Sequence, residues 1–136
     1  MTIRRAAELG SKLARIFALG ALAASAPLAA QSFYTDDVAF FERVVVGDVE
    51  VTPVAILADR RCGDADLCFR DDRFVVSLVL HDYRGISEVI LELDRPAAVP
   101  GGYLILRDAG TRPTRRGAQP LANYALDLEF VPFEDF

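Results

Sequence analysis

Alternation of apolar and polar residues is the feature that most constrains the fold of this chain. The segment NYALDLEF (residues 123–130) places four apolar side chains on one face: Tyr124, Leu126, Leu128 and Phe130. The segment SEVILELD (residues 87–94) repeats the pattern, with Val89, Leu91 and Leu93 on the apolar face. A period of two residues is that of side chains along a β-strand, and a helical period is almost absent after residue 30. The sequence therefore predicts an all-β protein.

Four further β-rich runs complete the predicted strands: FERVVVGD, VEVTPVAIL, RFVVSLVLHDY and GYLILRD. Pro53 cannot donate to a central ladder, so it predicts an edge, a bulge or a crossing between sheets. RFVVSLVLHDY is apolar on both faces, which is typical of a strand near the centre of a covered sheet. With six or seven strands and no crossover helix, the pairing is predicted to be antiparallel.

These strands predict one domain, residues 31–136, with the fold of an immunoglobulin-like β-sandwich. A small β-barrel is the alternative. Tyr124 lies near the start of the last strong strand. There it is either a tyrosine-corner residue, which ties a loop to its sheet, or an ordinary core tyrosine.

Residues 1–30 have the pattern of a helical signal peptide. Arg4, Arg5, Lys12 and Arg15 precede an apolar run that passes into small residues ending at Ala30. The run is shorter than the roughly 20 apolar residues that span a bilayer. We therefore expect cleavage after Ala30, a periplasmic or secreted location, and no membrane insertion after cleavage.

Loss of residues 1–30 makes the chain strongly acidic. Four of the 15 Lys and Arg residues and one of the 20 Asp and Glu residues lie in that segment. The remaining 11 cations and 19 anions give a net charge near −8. This charge argues against nucleic acids and anionic lipid surfaces as partners, because both are bound through cationic side chains.

The segment RRCGDADLCFRDD (residues 60–72) holds both cysteines, Cys62 and Cys68. In an oxidising compartment we expect them to form a disulfide that closes a short surface loop. The alternative is a site for calcium or another divalent metal. Its oxygen ligands would come from five aspartates: Asp59, Asp64, Asp66, Asp71 and Asp72. The spacing does not match a twelve-residue calcium loop, and the ligands for a zinc site are too few, so no cofactor is predicted.

Three segments together resemble a group of uncharacterised small secreted bacterial proteins: ADRRCGDADLC, VPGGYLIL and PLANYALDLEF. The matching positions are Asp59, Arg61, Cys62, Cys68, Gly101, Gly102 and Tyr124. After the second cysteine such proteins usually carry a Trp-Ala-Gly-like turn, whereas this chain has FRDD. The resemblance implies a secreted β domain and no particular activity.

Nucleophilic catalysis would have to use His81, the only histidine of the chain. Ser77 shares its strand face but lies about 13 Å away along an extended strand, and no nucleophile-elbow sequence is present. We therefore predict that the protein is not an enzyme, with a hydrolase using His81 as the minor alternative.

The remaining charged feature is a set of arginines in a loop-like segment: Arg107, Arg112, Arg115 and Arg116. They are either a solvated loop paired with acidic strand faces or a site for an acidic group. If this loop and the cysteine loop share one end of the domain, the candidate binding residues are Arg112, Arg115, Arg116, Asp64 and Asp66.

The predicted function is a non-enzymatic binding or envelope-interaction module for an unknown protein or small-molecule ligand. One alternative is a metal-handling protein that uses the aspartate-rich loop between Cys62 and Cys68. Another is an inhibitor that presents that loop to a secreted hydrolase.

Overall fold

A computed structural model describes residues 32–62, 72–113 and 119–135. Its strands are β1 (Phe33–Val38), β2 (Val44–Val46), β3 (Val49–Asp59), β4 (Phe74–Asp82), β5 (Gly85–Glu92), β6 (Ala97–Val99), β7 (Gly102–Asp108) and β8 (Leu126–Pro132). One-turn 3₁₀ helices occupy Leu121–Asn123 and Phe133–Asp135. The predicted signal peptide, residues 1–30, lies outside the described residues. Within the described ranges, no helix has the length and apolarity needed to cross a membrane.

The strands form two four-stranded antiparallel sheets, ordered β1-β8-β7-β6 and β2-β3-β4-β5. Each strand pairs with its neighbours in the chain except where the chain crosses between sheets, from β1 to β2 and from β5 to β6. We call the side of the molecule where the chain crosses from β5 to β6 the β5/β6 seam. A parallel bridge between Leu93 and Leu106 joins the two sheets at one end of this seam. The all-β antiparallel prediction is thus confirmed. The small-barrel alternative is wrong, because the strands form two separate sheets.

Both sheets contribute to one hydrophobic core. Its fully buried members include Val51 and Leu78 from one sheet and Leu104 and Leu128 from the other. The predicted apolar face of the last strand is confirmed: Tyr124 is 6% exposed, and Leu126, Leu128 and Phe130 are 0% exposed. Alternation places Leu126, Leu128 and Phe130 on one face of β8, where they exclude water between the sheets, and Tyr124 lies just before the strand.

The apolar strand RFVVSLVLHDY becomes β4, which is central in its sheet as predicted. Phe74, Leu78 and other alternate residues face the core. Val75 and Ser77 lie on the opposite face and are also buried. Val79 and His81, further along that face, are half-buried. The apolar character of both faces therefore decreases along the strand towards His81.

Pro53 lies inside β3, next to a register shift between Pro53 and Ala55. The bulge keeps a proline within a strand that has neighbours on both sides, as the sequence allowed. Two strands were not predicted. β1 is irregular, with its register shifting between Thr35 and Val38, and β6 has only three residues.

Candidate functional sites

One end of the structure holds a buried ion pair between Asp59 and Arg61. The Arg61 side chain is 2% exposed and that of Asp59 is 9% exposed. Arg61 donates to both carboxylate oxygens of Asp59, at 3.0 and 3.1 Å. It also donates to the carbonyls of Gly110, at 2.9 Å, and Thr111, at 3.0 Å. The Tyr124 hydroxyl donates to Asp59 Oδ2 at 2.9 Å. We call Asp59, Arg61 and Tyr124 the buried clasp.

Aromatic rings pack against the clasp. The Arg61 guanidinium lies 4.8 Å from the centroid of the Phe74 ring and 5.7 Å from that of Tyr124. The ring of Phe40 meets Tyr124 edge-on at 6.0 Å. Cation–π contacts of this kind strengthen when the cation is shielded from water. The clasp thereby joins the end of β3 to the segments before β8, which belongs to the other sheet.

The clasp shifts the pKa values of two of its members. Burial alone raises the pKa of the Asp59 carboxyl, but hydrogen bonds from Arg61 and Tyr124, with the charge of Arg61, outweigh it and hold the pKa below its ordinary value. The pKa of Tyr124 is raised, first by burial and then by its hydrogen bond to Asp59. Both directions favour the ionised carboxylate and the protonated phenol that the clasp requires.

Asp59 should make the stability of the protein depend on pH below about 4. Its pKa in the folded state is below the ordinary value of 3.8, so the ionised carboxylate stabilises the fold above that pH. This contribution is lost as the pH falls through the folded-state pKa. We expect the difference in unfolding free energy between the wild type and Asp59→Asn to shrink as the pH is lowered from 5 to about 2.

Urea titrations of both proteins at each pH measure that difference. Taking the difference cancels the acid sensitivity of the other carboxylates, which the two proteins share. A difference that stays constant down to the lowest pH contradicts the role assigned to Asp59.

The described flanks of the cysteine loop and the arginine loop meet at the same end of the molecule. Arg112 Nη1 donates to Asp72 Oδ2 at 2.8 Å and to the carbonyl of Cys62 at 3.0 Å. The backbone N–H of Cys62 donates to Asp72 Oδ1 at 3.0 Å. The two flanks therefore lie at one end of the domain, as a composite binding surface requires. Arg112, one of the candidate binding residues, is paired with Asp72 of the same chain.

Four of the five predicted residues of that surface lie outside the described residues: Asp64, Asp66, Arg115 and Arg116. Cys68 lies outside them too. Cys62 is described and is not a free cysteine. Because Cys68 is outside the described part, the disulfide stays a prediction, as does binding by the aspartates and arginines. Among the residues that the structure does describe, no group of three or more His, Cys, Asp or Glu is arranged to hold a metal ion.

Of the remaining sequence candidates, Tyr124 ties a loop to the structure, as the first of its two alternatives predicted. Its hydroxyl bonds to the Asp59 carboxylate, whereas a tyrosine corner bonds to the backbone. Arg107 pairs with Glu129 and Asp94 on a partly exposed surface, at 2.6 and 3.4 Å. The Ser77 hydroxyl donates to Glu88 Oε1 at 2.5 Å, so it is engaged with a carboxylate on the neighbouring strand. The prediction that the protein is not an enzyme remains a prediction.

A second candidate site lies at the β5/β6 seam. The bridge at Leu93 closes one end of the seam, and at the other end an open groove of about 350 Å³ lies between the two sheets. Apolar residues from both sheets line it: Leu80, Ile86, Val89, Ala98, Val99 and Pro100. Asp82, Arg84 and Glu88 add charge to its lining. Its volume lies at the lower end of the range of small-ligand sites, and its lining is more polar than theirs.

β5 is the last strand of its sheet, and part of its backbone faces this groove with no backbone partner among the described residues. Hydrogen bonding along an antiparallel pair alternates, so that successive residues bond towards the partner strand and away from it. Leu93 donates to the Phe74 carbonyl of β4 at 3.0 Å, whereas Asp94 donates away from β4, to Leu106 of β7 at 2.8 Å. β5 pairs with β4 without a register shift. The alternation therefore directs the N–H and C=O groups of Ile86, Glu88 and Ile90 away from β4. Those of Glu92 also point away, but its carbonyl accepts from the N–H of Arg95 at 3.0 Å.

The turn between β4 and β5 exposes large side chains beside the groove. Tyr83 is 83% exposed and Ile86 is 74% exposed, the highest values among the exposed large apolar side chains of the described residues. The Arg84 guanidinium lies 5.2 Å from the centroid of the Tyr83 ring, and Arg84 Nε donates to the Tyr83 hydroxyl at 2.9 Å. Clustered tyrosine, arginine and aliphatic side chains at a surface are typical of binding sites.

This second site was not predicted from the sequence. It lies at the far end of β4 from the buried clasp, a distance of about 26 Å for nine residues of strand. The available signal was Ile86 and Ile90, two apolar residues on the face that also carries Glu88 and Glu92. The groove itself has no sequence signal, because it depends on how two sheets meet.

The seam groove, the free β5 edge and the Tyr83–Arg84 turn form one continuous surface, which we call the seam site. Its geometry is suited to binding an extended chain. No family model, curated protein or solved structure matches this chain, so the assignment rests on the geometry.

Proposed function

We propose that the protein is a secreted or periplasmic, non-enzymatic binding module that takes an extended peptide segment onto the free edge of β5. The observation that carries the proposal is the edge itself: Ile86, Glu88 and Ile90 of β5 direct their backbone N–H and C=O groups away from β4, where no described strand pairs with them, beside an open groove. Addition of a strand to such an edge is a recurring mode of peptide recognition, in which the main chain supplies affinity and side-chain pockets supply specificity.

The groove gives the added strand a place for its inner side chains. Alternate residues of a strand beside β5 would point between the sheets, towards Ala98, Val99 and Pro100. Apolar side chains there would remove groove surface from water at about 25 cal/mol per Å². The bound strand would then cover the open part of the seam, which the Leu93–Leu106 bridge closes at its other end.

The exposed turn supports the same assignment. Tyr83 and Arg84 are the residue types that most often dominate binding energies at protein surfaces. Their mutual contact holds the guanidinium against the ring, so less side-chain freedom is lost when a partner binds. A long, regular edge strand is also a liability for aggregation, which a partner strand would relieve.

We propose that the two sheets form a β-sandwich that shares the architecture of immunoglobulin domains but not their strand order. Support comes from two antiparallel sheets around a common core and from a tyrosine that ties a loop near the last strand. Immunoglobulin domains connect their strands as Greek keys, whereas β2 to β5 here run in chain order across one sheet.

The secreted location and the Cys62–Cys68 disulfide are parts of the same proposal, supported by the composition of residues 1–30 and by the two cysteines.

Proline at position 88 should block strand addition. The N–H of Glu88 points away from β4, so proline there removes a group that only an added strand would use, and its ring obstructs that strand. We expect Glu88→Pro to bind a fluorescein-labelled peptide, Gly-Ser-Val-Leu-Thr-Leu-Val-Ser-Gly, at least about tenfold more weakly than Glu88→Ala, which lacks the same side chain. Fluorescence anisotropy measures the affinity, and circular dichroism checks that both variants are folded.

Val45→Pro is the matched control. Val45 is 65% exposed and lies on β2, the opposite edge of the same sheet, where its N–H also points outward. This variant should bind the peptide with wild-type affinity. Equal binding by Glu88→Pro and Glu88→Ala, or equal weakening by Val45→Pro, overturns the edge assignment.

A further inference from the structure

The seam site also indicates which peptide it prefers. We propose that the partner segment carries five residues in the order apolar, apolar, basic, apolar, apolar, with the basic residue opposite Glu88. This inference rests on the proposed strand addition at β5 and adds a chemical class of partner to it.

The outer face of β5 sets the first, third and fifth positions. Ile86 and Ile90 are 74% and 54% exposed, and the exposed Glu88 lies between them on the same face. Ser77 of β4 donates to Glu88 Oε1 at 2.5 Å, which holds the carboxylate on that face and engages one of its two oxygens on the β4 side. Residues directly opposite each other on paired strands have their Cβ atoms about 5 Å apart, which suits an oppositely charged pair at Glu88 and apolar pairs at the isoleucines.

The groove sets the second and fourth positions. These residues would lie beside Ser87 and Val89, whose side chains point to the inner side of the sheet. The facing residues of the second sheet, Ala98, Val99 and Pro100, are apolar or small. The charged residues of the groove lining lie elsewhere: Asp82 and Arg84 are at the turn, and Glu88 is on the outer face. A charged side chain beside Ser87 or Val89 would lose its hydration against apolar neighbours, so apolar residues are favoured there.

The predicted pattern does not depend on the direction of the bound strand. Ile86, Glu88 and Ile90 are symmetric about Glu88, so a parallel and an antiparallel segment would present the same five types of residue. An acidic residue at the centre of the peptide would face Glu88 directly. Arg84, the cation of the turn, is held against the Tyr83 ring rather than opposite this central position. Like charges directly opposite each other are destabilising.

Three peptides test the inference: Gly-Ser-Val-Leu-Lys-Leu-Val-Ser-Gly and its versions with Thr or Glu in place of the central Lys. The wild type should bind the Lys peptide about two- to fivefold more tightly than the Thr peptide, and the Glu peptide most weakly. Glu88→Lys should reverse the order, because the charge opposite the central residue is inverted. Fluorescence anisotropy at low salt measures all six affinities.

Each result leads to a different conclusion. An unchanged preference for Lys in Glu88→Lys overturns the pairing with Glu88, since the preference then follows from the net charge of the protein. Equal binding of the three peptides that is lost in Glu88→Pro also overturns the inference but leaves strand addition standing. Absence of binding by all three overturns strand addition as well.

Discussion

Replacing Arg61 with alanine should lower the free energy of unfolding by about 3–5 kcal/mol, the typical cost of removing one partner from a buried ion pair. The Arg61 and Asp59 side chains are 2% and 9% exposed, so the remaining carboxylate would be shielded from water. It would keep the Tyr124 hydroxyl and the backbone N–H of residue 61 as donors but lose its cation. The carbonyls of Gly110 and Thr111 would lose a donor as well. Urea unfolding followed by far-ultraviolet circular dichroism measures the change.

Arg73→Ala is the matched control for this prediction. Arg73 pairs with Glu92 at 3.2 Å, but its side chain is 47% exposed. Exposed pairs of this kind contribute about 0–1 kcal/mol. Similar losses for Arg61→Ala and Arg73→Ala would show that burial does not decide the contribution of the clasp.

Gly47→Ala should also be strongly destabilising, by about 2–4 kcal/mol. Gly47 lies in the turn between β2 and β3 with φ of 60°, a region that L-residues adopt at a cost. A Cβ atom at this position would overlap Cδ1 and Cγ of Phe130, which is fully buried in the core. The ring would have to move within a close-packed interior, and urea unfolding again measures the cost.

Gly101→Ala separates the backbone cost from the overlap. Gly101 also has a positive φ, of 87°, but the nearest atom to an added Cβ is Asp48 Oδ2 at 3.6 Å, an ordinary contact. We expect this variant to lose only the backbone contribution, about 1–2 kcal/mol. If it is as unstable as Gly47→Ala, the overlap with Phe130 is not the cause.

The strands that could be predicted are those with long, regular patterns. β4, β5, β7 and β8 follow from alternation or from continuous apolar character, because burial between two sheets selects those patterns directly. β1 was missed since its bulge at Asp37, with φ of 56°, breaks the alternation. β6 was missed because its three residues, AAV, are mostly small and lie between two prolines, unlike the VVV of the equally short β2.

The candidate sites were less predictable. A loop tie was one of two alternatives that the position of Tyr124 allowed, beside an ordinary core tyrosine. Its partner Asp59 is 65 residues away, and the sequence groups it with the aspartates of an alternative metal site. The pairing of Asp59 with Arg61 instead depends on the end of β3 reaching the segment before β8. Ile86 and Ile90 interrupt an otherwise polar face, which is a signal for exposure but not for a groove.

The sequence alone determined the class of structure, since the side-chain period of two residues is a local property that each strand carries by itself. It also determined the acidic net charge and which face of each long strand is buried. The tertiary structure alone decided which loops meet, that Arg61 is buried rather than solvated, and that the β5/β6 seam stays open beside Val89. These features depend on the order and separation of the strands, which are set by contacts between residues far apart in the chain.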